Sequence, residues 1–166
     1  MSKAKHERAV FTEFVAVAGL DVPLDSIESQ APPLPDIVCT LDGAPHMFEL
    51  TRVADQEIAN DVGMLLAKAS RTGEGGVGGA HTYDDKAILR RAVERKATAR
   101  HVTQGAPLSL LAYYDGVFHA LGSFNWVGAT FEQLVTEYAA RWHSMWLFDR
   151  PKKALLCKPV GGAMGP

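Results

Sequence analysis

Residues 34 to 53, LPDIVCTLDGAPHMFELTRV, constrain the fold more than any other stretch, because they read as two apolar strands joined at Asp42-Gly43. Asp-Gly is favoured in tight hairpin turns, where both central residues take a positive φ. Side chains alternate faces along a strand, so the turn fixes which residues lie together. With a two-residue turn, Leu41 faces Ala44 and Asp36 faces Glu49. With a four-residue loop from Asp42 to Pro45, which Pro45 favours because it cannot donate to a ladder, Leu41 faces His46 and Asp36 faces Thr51. Both registers have the same parity. Asp36, Val38 and Thr40 share a face with Met47, Glu49, Thr51 and Val53, while Ile37, Cys39 and Leu41 share the other with Phe48, Leu50 and Arg52.

Glu49 lies between Phe48 and Leu50 in a strand that reads as buried, where an uncompensated charge is costly. The parity clusters Asp36, Glu49 and Thr51 and turns Arg52 away. Two neighbouring carboxylates repel unless one takes a proton or both bind a cation. An all-oxygen site of that kind suits Mg²⁺.

The surrounding chain of 166 residues is about one domain, expected over residues 1 to 160 with a loose tail from Gly161 to Pro166. A formal net charge of -2 gives no global attraction to nucleic acid or membrane, so any such binding must be local. Cys39 and Cys157 form no metal or disulfide pattern, which points to a reducing cytoplasm. No apolar run reaches spanning length, so no membrane partner is expected.

Lys5 to Ala18 reads as a helix with Val10, Phe11, Phe14, Val17 and Ala18 on one stripe, ended by Gly19. Glu7 sits at the edge of that stripe, where an acid is also favoured by the helix dipole alone. Asp21 to Pro35, with four prolines, is an extended connector with room for a short strand near Ile27. Asp55 suits the N-cap of a helix from Gln56 to Lys68, and the glycines from Gly73 to Gly79 read as a loop without P-loop chemistry. A helix from Asp84 to His101 carries Lys86, Arg90, Arg91, Arg95, Lys96 and Arg100. Most face solvent, but Lys96 falls on the stripe of Leu89, Ala92 and Val93 and therefore needs a carboxylate or a route to water. Leu108 to Tyr114 reads as a buried strand, and Thr130 with Gln133 as a capping box for a helix through Trp142. A hairpin pairs Ser144 to Phe148 with Lys153 to Cys157 across Asp149 to Lys152. The expectation is an α/β fold with a mixed central sheet of about five strands flanked by helices.

Pro35-Asp36, twelve intervening positions and Glu49-Leu50-Thr51 resemble the motif of the PD-(D/E)XK nuclease-like superfamily. The order of elements resembles it as well, which implies a restriction-endonuclease-like fold. The resemblance implies that Asp36 and Glu49 bind metal with the Leu50 carbonyl as third ligand, and that Glu7 is the helical acid. It puts Thr51 where the family has lysine, a departure because a threonine hydroxyl cannot supply positive charge. The chain also resembles a loose set of small uncharacterised bacterial or mobile-element proteins in which Pro-Asp and Glu-Leu-Thr precede a basic helix. Arg95-Lys96-Ala97 fits that helix, and Lys96 is the candidate for a relocated catalytic lysine.

Two functions follow. One is Mg²⁺-dependent hydrolysis of DNA or RNA phosphodiesters by Glu7, Asp36, Glu49, Thr51 and Lys96, with nucleic acid held by the Lys86 to Arg100 helix. The other is a non-catalytic binding module on the same scaffold, a homodimer through Trp126, Trp142 or Trp146 being one form of it, in which Lys96 merely neutralises Glu49. None of the six histidines shows zinc-helix spacing, and each reads as a surface or capping residue.

Overall fold

The computed structural model describes residues 2–53, 85–115 and 124–158. Helix α1, Lys3–Ala18, begins where the Ser2 hydroxyl accepts from the Lys5 N–H and ends at Gly19, whose φ of 63° is the left-handed conformation that stops a helix. Strands β1, Glu28–Ser29, β2, Ile37–Leu41, and β3, Ala44–Arg52, follow. Helix α2, Asp85–Thr98, precedes β4, Leu108–Tyr114; helix α3, Phe124–Glu137, precedes the pair β5, Met145–Asp149, and β6, Ala154–Lys158.

The six strands form one sheet in chain order. β3, β4 and β5 run parallel, while every other neighbouring pair is antiparallel. The fold is thus the expected α/β type with a mixed central sheet flanked by helices, and β1 is the short strand anticipated near Ile27. Parallel neighbours need crossovers of one hand, so α2 and α3, which lie in successive crossovers moving the same way, belong on the same face. The core agrees. Leu89, Val93, Val127, Phe131 and Leu134 pack with Met47, Leu110, Ala112 and Leu147 on that side. Val10, Phe11 and Phe14 of α1 cover the other side with Ile37, Phe48, Leu50 and Leu111. Strand β4 lies between the two layers and all seven of its residues are buried.

The hairpin takes the two-residue register. Leu41 pairs with Ala44, and Asp42 and Gly43 have φ values of 51° and 79°. Pro45 lies opposite Thr40, one place from the closing pair, where an antiparallel ladder makes no hydrogen bond and a missing N–H costs nothing. The four-residue alternative therefore gains nothing from Pro45. The parity deduced from alternation is observed: Met47 and Val53 join the α2 and α3 layer, and Ile37, Cys39, Phe48 and Leu50 the α1 layer.

Three boundaries differ from the sequence reading. Helix α3 starts at Phe124 and ends at Glu137, so Thr130 lies within it and does not cap it. The buried stripe of Val127, Phe131, Leu134 and Val135 extends before Thr130, and this packing outweighs a local capping pattern. The last hairpin pairs Asp149 with Ala154, two residues on from the anticipated register, with Lys153 at a φ of 47° in the turn. Helix α2 ends before Arg100 and His101. The helix expected from Gln56 to Lys68, the glycine loop and the tail lie outside the described residues.

Trp142 is buried in the core, and the half-buried Trp146 packs its ring 5.2 Å from that of Phe14. Both rings are therefore engaged within the chain. Among the described residues no helix is long and apolar enough to cross a membrane.

Phe48 is completely buried, with its ring 4.8 Å from Phe11 and 6.1 Å from Phe14. Phe48→Ala is expected to lower unfolding free energy by roughly 3–5 kcal/mol, read from urea denaturation at unchanged m-value.

Candidate functional site

The site begins with a difference in strand length. β2 starts at Ile37, opposite Phe48, while β3 runs on to Arg52. Beyond Phe48, β3 pairs with β4 alone on its other side. The N–H groups of Met47 and Val53 donate to Pro107, just before β4, and Tyr113, within it, so by alternation those of Phe48, Leu50 and Arg52 face the β2 side. At Leu50 that side has no strand partner. A buried N–H must find an acceptor. Asp36, the residue before β2, supplies one: its Oδ2 accepts from the Leu50 N–H at 2.9 Å. The N–H and C=O of one strand residue point the same way, so the Leu50 carbonyl faces the same vacated edge.

Lys96 arrives from α2. Leu89, Ala92 and Val93 bury their side of the helix, and that stripe delivers the Lys96 ammonium to 3.0 Å from Asp36 Oδ2 and 3.2 Å from Glu49 Oε2. Lys3, in the first turn of α1, bridges Asp36 Oδ1 at 3.3 Å and Glu7 Oε1 at 3.2 Å. Asp36, Glu49 and Lys96 thus meet directly, and Glu7 joins them through Lys3. The Thr51 hydroxyl donates to the Ala92 carbonyl and accepts from Arg95, each at 3.3 Å, tying β3 to α2. It supplies no charge.

The electrostatics follow from sharing one half-buried ammonium between two buried carboxylates. Burial and the neighbouring Asp36 push Glu49 up to about 7, against the pull of Lys96. Asp36 is held below the usual range because Lys96, Glu49 and the Leu50 N–H together outweigh its own burial. Burial, reinforced by Asp36, raises Glu7. His101 supports a proton on Glu49. Its Nε2 lies 3.3 Å from the Lys96 carbonyl, which can only accept, and its Nδ1 lies 3.4 Å from Glu49 Oε1. In the neutral ring Nδ1 is then an acceptor, so a proton between it and Glu49 belongs to the carboxyl. Burial lowers the His101 pKa, which favours that neutral ring.

The histidine reading therefore needs correction. His101 is buried against Glu49. His46 is buried too, 2.9 Å from Ser109, and burial with His143 nearby lowers its pKa to about 4. His6 lies 3.0 Å from Asp115. His101 follows the end of α2, so no helical periodicity could place it, and Lys3 precedes the periodic part of α1.

A cleft of about 490 Å³ opens beside these groups at the carboxyl end of β3, lined by Lys3, Glu7, Leu50, Thr51, Arg95 and Lys96 among others. Ligands of open α/β sheets bind outside the carboxyl ends of strands, so the position is a favourable one. Among the described residues, no three His, Cys, Asp or Glu side chains are arranged to hold a metal. The donors that fit a hard cation are the carboxylates of Asp36 and Glu49 with the Leu50 carbonyl, all oxygens. No known protein family, characterised protein or solved structure matches the chain.

Because the folded chain holds a proton on Glu49 that the unfolded chain releases near its ordinary value of 4.5, this residue makes stability fall as pH rises from there to about 7. His46 works in the opposite sense between about 4 and 6.5, since its folded form resists the proton that the unfolded form takes. The difference between Glu49→Gln and wild type isolates the carboxyl. In urea denaturation the variant is expected to gain on wild type by roughly 1–3 kcal/mol between pH 5 and pH 8. Lys96→Met leaves both carboxylates without their shared cation and is expected to cost about 3 kcal/mol at pH 8.

Proposed function

We propose that the protein is a metal-dependent phosphodiesterase of the PD-(D/E)XK nuclease-like kind, acting on DNA or RNA, with Lys96 in place of the motif lysine. The observation that carries the reading is the meeting of Lys96 with Asp36 and Glu49, at 3.0 and 3.2 Å, at the edge of a cleft. Position 51 has no positive charge to offer, and α2 brings one to the same two carboxylates from elsewhere in the chain. Glu7 from α1, on the other side of the sheet, completes the set that the resemblance implies.

Asp36, Glu49 and the Leu50 carbonyl would hold Mg²⁺. When bound, the ion would polarise the phosphate and lower the pKa of a water molecule. Asp36 is suited to remain ionised, and Glu49 would give up its proton to become a ligand. The Lys96 ammonium would neutralise charge developing on the phosphate oxygens, the contribution that a threonine cannot make. Glu7, whose pKa burial and the neighbouring Asp36 raise, would orient the attacking water. Of the basic helix, Arg95 and Lys96 line the cleft, whereas Arg90 is engaged by Glu94 and Glu137.

A second reading is favoured by the same contact. Lys96 already neutralises both carboxylates, as it would in a catalytically silent binding module built on this scaffold.

Calorimetric titration of Mn²⁺ separates the two. The nuclease reading expects binding that tightens between pH 6 and pH 8 as Glu49 loses its proton, and that Asp36→Asn weakens by about tenfold or more. It also expects divalent-dependent cleavage of single- or double-stranded nucleic acid, reduced about a hundredfold or more by Lys96→Met. Absence of both metal binding and cleavage in the wild type would leave the binding-module reading.

A further inference from the structure

The lining of the cleft contains more positive charge than the proposed chemistry uses. Lys3, Arg52, Arg95 and Lys96 face it, against the single carboxylate of Glu7. Lys96 is occupied by Asp36 and Glu49, and Lys3 by Asp36 and Glu7. The two arginines differ. The Arg95 guanidinium has only the neutral Thr51 hydroxyl as hydrogen-bond partner among the described residues, and Arg52 forms no ion pair with a described carboxylate. Both are exposed. They approach from opposite layers: Arg52 lies on the α1 side of β3 by strand parity, and Arg95 comes from α2. Both nevertheless line one cleft, because β3 extends past the start of β2 and both layers open onto its end.

Two arginines lining one cleft at the end of a strand suit a phosphate, whose oxygens accept paired N–H donors. Thr51 adds to the argument. Its hydroxyl is fixed to the Ala92 carbonyl and accepts from Arg95, so the guanidinium is restrained beside the strand before any ligand arrives. The cleft has the size of a small-ligand pocket, about 490 Å³, and a long groove is not needed to fill it. With Lys3 and Lys96 already paired to carboxylates, the two arginines offer two positive charges, which match a doubly charged monoester better than the single charge of a backbone diester.

We propose that Arg52 and Arg95 form a subsite for the terminal phosphate monoester of a nucleic-acid strand, so that the substrate is recognised at its end. This rests on the nuclease reading for the identity of the strand but uses different residues and no metal.

The test is a calorimetric titration in EDTA of a short oligothymidylate carrying a terminal phosphate, alongside the same strand after phosphatase treatment. The phosphorylated strand is expected to bind about tenfold or more tightly, and Arg52→Gln and Arg95→Gln each to remove most of that preference. Arg8→Gln, an exposed arginine on α1 that does not line the cleft, controls for net charge and is expected to leave the preference intact. Arg95→Lys keeps the charge without the planar fork and is expected to restore part of the loss. Equal binding of the two strands overturns the proposal, as does a preference that survives both arginine substitutions or falls equally in Arg8→Gln. A wild type that prefers the phosphorylated strand yet binds no Mn²⁺ would refute the nuclease reading and leave the subsite standing.

Discussion

An unpaired backbone amide organises this site. Strand β2 starts opposite Phe48, β3 continues to Arg52, and the Leu50 N–H faces the vacated edge. A buried amide without an acceptor costs more than a formed hydrogen bond gains, so the chain must place an acceptor there. Asp36 provides it with one carboxylate oxygen. That acceptor is charged and lies beside Glu49, so satisfying the amide creates a second requirement, for positive charge. Lys96 meets it from α2, and Lys3 takes the other oxygen of Asp36 from α1. One strand-length mismatch therefore connects both helical layers to the same point of the sheet.

The remaining charge is resolved unequally. Asp36 gathers a backbone N–H and two ammonium groups, whereas Glu49 shares one ammonium and meets the acceptor nitrogen of a neutral His101. Environment thus separates two similar side chains, one held ionised and the other drawn towards protonation. Paired carboxylates with divergent acidities are a common arrangement at reaction centres, although structural ion-pair networks perturb acidities as well. The cleft beside them, and the two arginines at its rim that no described carboxylate engages, favour the functional interpretation.

Much of this was legible in sequence wherever a local periodicity was enforced by burial. The period of two in the hairpin put Asp36 and Glu49 on one face and Arg52 on the other, irrespective of loop length. The helical period put Lys96 on the stripe of Leu89, Ala92 and Val93, and a buried stripe can deliver a lysine only inward. Periodicity fails at the ends of elements. Lys3 and His101 lie at such ends, and their roles depend on where separate segments dock. Thr130 shows the converse error: its pattern is a genuine capping signature, but the burial of Val127 carries α3 past it towards the N-terminus.

The amino-acid sequence by itself determined the hairpin, its parity, the inward lysine and the alternation of strands and helices, because each depends on residues close in the chain; which strands pair in parallel joins residues as distant as Met47 and Leu108. It left open whether Lys96 meets Asp36 and Glu49, 60 and 47 residues away, and whether Glu7 and Lys3 reach the same point from the other layer. Tertiary structure decided both. Desolvating a carboxylate is costly until a partner arrives, and only the docking of both helical layers against β3 brings those partners within hydrogen-bonding distance.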